Sequence, residues 1–531
     1  MKKIYYTLIA ASALILFQAC TSRLDQANIN PNQIAVGEGK IRGDNLVETP
    51  YYGIGRSLQS STRTYGNEIA NVTAFTAGVT NNIHRYVITQ GNWQSLWDTY
   101  MRWAYDCDVL VNYSVESGDK YVEGIGRVLK SYVYYVLVTV WGDLPYSEAF
   151  QGRKTEDYNR TPKLDSQLDV FNYLVEDLTK AAVLFAANPT PVKPGLDPMY
   201  NDDMLKWQKF ANSLIMRIYC LLANMDESYW GKIQYMLDNP SAYPVFSSNE
   251  DNAEIPFSDQ DPYRSYFGEQ QYEKTDISNY RLTKTIIKLL HGKTYNDPRI
   301  ALYGELGGDT WKGTVGGCTT LERTQVHSGS AMGNFNLLGQ PSTPAILMDY
   351  SEILFIIAEG VERGKLDMVL EASDYYYDAV NASIDRWASF GEWNDPPTVI
   401  TQTLRDNFFD SDIGSYDYAG TSESIYENKL DCILSQKWVS LYWCGFECWT
   451  SWRRNEYPLI EIGRGAENDF ELPTRLGYPN SITASNPANV EEALSRMGGD
   501  NDMHTPLIWS YKKVNGGSKY IHTKEAVLNR L

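Results

Sequence analysis

The chain has 531 residues, 43% of them hydrophobic, and a formal net charge of -19, so it can bury a large core in one domain or several. An acidic balance with no basic run excludes a nucleic-acid surface, which needs clustered Lys and Arg to displace counterions. The 39 Tyr and 14 Trp exceed what an ordinary core requires and suit wet binding surfaces, where an amphipathic ring packs and hydrogen-bonds at once.

Residues 1–19 form a targeting segment: Lys2 and Lys3 are a positive n-region, and 4–17 is an apolar run too short to span a bilayer comfortably. Leu16-Phe17-Gln18-Ala19-Cys20 is similar to a bacterial lipobox, which implies cleavage before Cys20 and its acylation. Residues 20–46, with Asn28, Asn30, Pro31 and Asn32, make a lipidated tether, and 47–531 make a single domain with loop insertions at about 245–275 and 302–345. No second run of spanning length follows.

The helical pattern starts over 47–79. The polar stretch Asn81-Asn82-Ile83-His84-Arg85-Tyr86 makes a loop, and Asn92 is placed to cap a helix over 93–113. Apolar positions at spacings of three and four predict helices over 121–141, 166–187, 205–224 and 229–237, with Gly142 as a stop before Pro145. From 257 to 272 a polar loop carries Phe257, Tyr263, Tyr266, Phe267 and Tyr272 with no helical period. A helix over 279–291 precedes a broken, Gly-rich stretch over 303–344 whose single Trp is Trp311. Long structured loops of this kind are disproportionately functional. Helices return over 349–360, 371–390 and 427–452, the last carrying Trp438, Leu441, Tyr442, Gly445 and Trp449 on an apolar pattern, and the tail from Pro458 is loop-like. The fold class is mostly α, built as antiparallel helix pairs with an irregular, loop-rich second half.

No catalytic motif survives position by position. The Gly308 to Gly313 run lacks the order of a phosphate loop, Ala331 stands where a nucleophile elbow needs Ser, and the five His are scattered, so no metal site or cofactor is expected. A carboxylate pair for glycoside hydrolysis remains open by count. The six Cys beyond Cys20 fit small buried thiols over a Cys444–Cys448 disulfide, which their four-residue spacing and export would also permit, and Arg453 and Arg454 fit a helix cap or partners for a buried carboxylate over a clamp for an anion. Binding is expected in the loops instead.

Several separated motifs make the chain similar to the SusD/RagB family of outer-membrane nutrient-binding lipoproteins, in its SusD-like branch. They are Cys20, Asn30-Pro31-Asn32, the Trp141-Gly142-Asp143-Leu144-Pro145-Tyr146 turn, Asp349-Tyr350-Ser351-Glu352 leading to Ala358-Glu359, Gln436-Lys437-Trp438, Trp452-Arg453-Arg454 and Leu476-Gly477-Tyr478-Pro479. The resemblance implies tetratricopeptide-like helix pairs, no enzyme activity, and a lipid-anchored, surface-facing protein that hands an oligosaccharide or a peptide to a TonB-dependent, SusC-like transporter.

Sugar recognition calls for rings that stack on apolar sugar faces and polar groups that bond hydroxyls. Loop character then places the ligand-binding residues at Asn82, His84, Arg85 and Trp93 from the first loop, and Tyr263, Tyr266, Phe267 and Trp311 from the insertions. Peptide capture is the alternative within the same type. A carbohydrate-degrading lipoprotein or a scaffold would be a different class.

Overall fold

The computed structural model describes residues 44–76, 83–151, 159–191, 194–270, 277, 279–319 and 321–519. Contacts divide the chain into Met1–Leu46, almost wholly outside the described residues, and Val47–Leu531, which holds the fold. The expected signal peptide, Cys20 and Asn82 lie outside the described residues.

Helix α1 (Asp44–Ser61) continues through a π-turn, Thr62–Gly66, and one further turn, Asn67–Ile69, before the chain extends as β1 (Thr73–Phe75). The helical run expected over 47–79 therefore ends early, where Val72 and Thr73 favour extended backbone. Helix α2 (Gln90–Ser117) starts three residues before the expected position. Thr89, not Asn92, is its cap, and the two form a reciprocal capping box in which Asn92 Oδ1 accepts the Thr89 N–H at 2.9 Å. Gly118, at φ +76°, and Asp119 reverse the chain into α3 (Lys120–Trp141). That link is too short for anything but an antiparallel pair. The sequence of α3 is apolar nearly all round, and the helix is accordingly buried nearly all round, from Tyr121 to Trp141.

The next helices, α4 (Gln167–Ala186), α5 (Met204–Leu222) and α6 (Ser228–Asp238), each pack on the one before, with Ser166 and Asp203 side chains capping α4 and α5. β2 (Ala253–Ile255) leads into the first insertion, which holds the short α7 (Tyr266–Gln270). The helix expected over 279–291 is β3 (Tyr280–Leu282) followed by α8 (Lys284–Leu290). The second insertion contributes β4 (Gly304–Glu305) and β5 (Met332–Gly333), and β6 (Ala345–Met348) pairs with β2. Helices α9 (Tyr350–Glu362) and α10 (Ala372–Ala388) form a further pair, followed by α11 (Gln402–Phe409).

The Trp-rich stretch is two helices, α12 (Lys429–Ser440) and α13 (Glu447–Asn455), not the single one its periodicity predicts. Between them Trp443 and Gly445 sit in the left-handed region at φ +68° and +63°. The reason is a crossing: a Cβ on Gly66 would lie 2.1 Å from the Gly445 carbonyl oxygen, so two glycines let the end of α1 pass this turn backbone to backbone. The tail also differs from expectation, with helical turns at Asn480–Ser485 and α14 (Pro487–Met497), which opens on Pro and closes at Gly498.

Ionic groups run through the core where these helices meet. Glu352 and Glu359 lie seven residues apart on α9, as do Glu447 and Arg454 on α13. Arg217 of α5 holds Glu352 through Nε at 2.9 Å and Nη2 at 2.5 Å, and Tyr135 of α3 donates to Glu447 at 3.0 Å. Burial penalises both carboxylates. Arg217 overcomes this at Glu352, which is held below its ordinary value, but not at Glu447, which is held above. Glu359 takes Arg454 Nη1 at 2.7 Å and Arg363 Nε at 2.8 Å, and against the cost of burial these cations hold it at about 2. Arg453 donates to the Thr139 and Thr474 carbonyls and stacks on Trp449, 3.6 Å from the ring centroid. The six described cysteines are free and buried, and among the described residues no helix is long and apolar enough to cross a membrane.

Candidate functional site

The strand before the first loop, the strand after the first insertion and two strands of the second insertion form one small sheet, in the order β1-β3-β5-β4. Thr73 pairs with Leu282, Ala74 with Arg281 and Phe75 with Tyr280, all antiparallel, and Met332 lies between Arg281 and Glu305. Alternation puts Phe75 and Tyr280 on one face, their rings 5.0 Å apart, and Arg281 on the other. Gln59 of α1 fastens the insertions to the helical body: its Oε1 accepts the Tyr266 N–H at 2.9 Å while its Nε2 donates to the Thr343 carbonyl at 2.8 Å.

Around this sheet the Arg63 guanidinium sits 5.5 Å from the Tyr266 ring, 5.8 Å from Phe267 and 5.2 Å from Tyr280. Phe75, Arg63 and Tyr266 are half-buried, whereas Phe267 and Tyr280 are buried. The half-buried rings and guanidinium can meet a ligand, and the buried rings hold them in position. This combination suits a sugar, whose C–H faces stack on rings and whose hydroxyls accept from a guanidinium.

A buried carboxylate anchors the loop that leaves β1. Glu68 accepts the His84 N–H at 2.9 Å, and the Phe75 N–H also lies near enough to favour its charged form, so one side chain sits between the two ends of the 76–83 segment. Burial pushes this carboxyl up to about 8, against the backbone donors and Arg63.

The predicted residues do not form one cluster. Tyr266 and Phe267 belong to the sheet site, but Phe267 is 1% exposed and faces Trp443, with ring centroids 5.9 Å apart, so it is a core residue and not a contact surface. His84 is buried as well, contrary to the ligand-facing loop position expected of it. Its Nδ1 accepts the Gly317 N–H at 3.1 Å, pinning the first loop to the second insertion. Arg85 donates through Nε to the Gly465 carbonyl at 2.8 Å and through Nη2 to Glu467 at 2.5 Å. Trp93 is buried against Gly477, where a Cβ would lie 2.3 Å from its ring, which makes it part of the packing of the Leu476-Gly477-Tyr478-Pro479 turn. Tyr263 lies on the loop beside α1, half-exposed, donating to Glu48 at 3.2 Å with its ring 4.8 Å from Tyr52. Trp311 is half-exposed and meets none of the other candidate rings among the described residues.

Arg63, Phe75, Tyr280 and Gln59 are absent from the sequence-based set. For Phe75 a signal existed: Val72-Thr73-Ala74-Phe75-Thr76 has the β-branched and aromatic content of a strand at a loop edge. Elsewhere in the second insertion, His327 Nδ1 pairs with Thr314 Oγ1 and its Nε2 lies 3.6 Å from Cys318 Sγ, all three buried. Among the described residues no group of three or more His, Cys, Asp or Glu side chains is placed to hold a metal.

Comparison with known proteins agrees with this architecture. A family model described as SusD-like, starch-binding and associating with the outer membrane matches residues 32–479. Among solved structures, a chitin-binding protein aligns with TM-score 0.73 at 21% identity, over 88% of this chain and 100% of its own. A SusD homologue from Bacteroides fragilis aligns with TM-score 0.72 at 21% identity, over 88% and 100%. A chitin-binding SusD homologue from Flavobacterium johnsoniae aligns with TM-score 0.69 at 19% identity, over 88% and 98%. At these identities the likeness is one of fold, and it includes the tetratricopeptide-like helical body. No curated protein sequence matches. The extent of the family match decides the assignment: the chain belongs to the SusD-like family of starch-binding proteins that associate with the outer membrane.

Proposed function

We propose that this protein is a lipid-anchored, surface-facing binding protein that captures an oligosaccharide without cleaving it and delivers it to a partner TonB-dependent transporter. The observation that carries the reading is a small sheet beside which half-buried Phe75, Tyr266 of the first insertion and Arg63 of the π-turn combine ring faces with a guanidinium donor. The family description supports a glycan ligand, and two related folds bind chitin. Asn82, adjacent to this loop in sequence, supplies an amide for sugar hydroxyls, and Tyr263 and Trp311 extend the aromatic set.

Calorimetric titration of the mature protein with starch-type and chitin-type oligosaccharides and with mixed peptides tests this. One glycan class binds, the glycan is recovered intact, and Tyr266→Ala weakens binding about tenfold or more, in line with the ~1–3 kcal/mol typical of a stacked ring. Binding of peptides alone would replace the reading with peptide capture. Release of reducing sugar would replace it with hydrolysis.

A further inference from the structure

At the C-terminal ends of α5 and α9 the helical body forms a half-open cavity of about 340 Å³, lined by Asn224, Glu227, Trp230, Arg363, Lys365 and Arg454, with Glu227, Arg363 and Lys365 at its exposed rim. That volume is roughly ten waters' worth and lies at the lower end of ligand pockets. None of its residues belongs to the sheet site.

The charges here do not cancel. Arg454 spends Nε on the Cys220 carbonyl at 2.8 Å and Nη1 on Glu359 at 2.7 Å, leaving Nη2 without a partner among the described residues, although its side chain is only 5% exposed. Arg363 gives Nε alone to Glu359, at 2.8 Å, so both its Nη atoms are unspent. Lys365 pairs with Glu227 at 2.7 Å. Three cations thus face two carboxylates, Glu227 and Glu359, an excess of one positive charge. The ends of α5 and α9 account for cations at this place, because helix C-termini attract them. They do not account for an idle nitrogen on a buried guanidinium at the floor of a half-open cavity. Arg454 cannot swing away to water, since Asn224 Nδ2 clasps its carbonyl at 2.9 Å and Glu359 its head.

The geometry points to a second binding site in this cavity, for a compact monoanion: an oxyanion, carboxylate or phosphate, seated between Arg363 and Arg454 on a body no larger than a monosaccharide, walled by Trp230. The unspent Nη1–Nη2 edge of Arg363 gives the bidentate geometry that oxyanions accept, and Nη2 of Arg454 adds one further donor. A neutral sugar would leave the excess charge unmatched.

The test uses the mature protein with sodium glucuronate, glucose and inorganic phosphate as probes, read by calorimetry and ligand-observed NMR. Glucuronate binds saturably, glucose does not compete with it, and Arg363→Gln weakens it by about tenfold, the scale of a lost charge-assisted hydrogen bond. Lys365→Gln, a half-exposed position, serves as the second variant and weakens it by about threefold through lost charge. Competition by phosphate assigns recognition to the oxyanion, and its failure to compete assigns it to the sugar acid. Equal binding of glucose and glucuronate overturns the proposal, as does glucuronate binding that survives Arg363→Gln and Lys365→Gln. Glucuronate binding abolished by Tyr266→Ala but untouched by Arg363→Gln would place the anion at the sheet site and overturn it equally, whereas failure of the glycan reading leaves these measurements unaffected.

Discussion

Glu359 shows how a residue flagged by a motif can serve the scaffold and not the ligand. Held at about 2 between two guanidiniums, it contributes stability that is complete above its unfolded value near 4.5 and is lost as pH falls towards 2. Glu359→Gln leaves Arg454 buried with one partner fewer, and urea unfolding at pH 7 is expected to show a loss of about 3–5 kcal/mol, with a shallower acid limb below pH 4.5. Glu68 has the opposite sign. With its carboxyl raised to about 8, its contribution is full below pH 4.5 and is lost as pH rises through 8. Glu68→Gln keeps an oxygen for the two backbone donors and cannot ionise, so its stability is expected to stay flat from pH 5 to 9 where the parent declines. A parallel decline in both proteins would refute the assignment. The ordinary reading of Arg453 and Arg454 as structural was available from the sequence. The burial of His84 was not, because its partner is the backbone of Gly317, 233 residues away.

Among the elements, helices were legible and strands were not, for one reason. Helix α3 repeats its apolar period over 22 residues, whereas β3 has three residues and β5 two, shorter than any window in which alternation can be seen. Phe267 misled for the same reason: it sits in a five-residue helix with no room for a period, and it is buried all the same. The division of the Trp-rich stretch into α12 and α13 depends on a contact with Gly66 that no local pattern carries. Gly66→Ala places a methyl group against a carbonyl oxygen that cannot rotate away, and the urea midpoint is expected to fall by the equivalent of about 2 kcal/mol or more. An unchanged midpoint would show that α1 can withdraw from the turn at little cost.

For the whole molecule, the family assignment came from motifs spread along the chain, and most of those the structure describes turn out to be core: Glu352, Glu359, Lys437, Arg453 and Arg454 are all buried where helices meet. Scaffold residues identify the family, and the proposed ligand residues of the sheet site lie where sequence patterns are weakest. Anchoring belongs to this scale too. Cys20→Ala is expected to abolish metabolic labelling by palmitate and to move the protein from the membrane fraction to the soluble one, and retention in the membrane would remove the lipid anchor from the reading. One feature of the site bears on how such a scaffold changes its ligand. A carboxylate that holds the His84 main-chain N–H, with the Phe75 N–H nearby, is indifferent to which side chains the sequence carries between those two positions. The intervening residues, Asn82 included, then form an exchangeable cassette. A loop of new composition can be grafted between the same two anchors, altering what is captured while the helical frame keeps its stability.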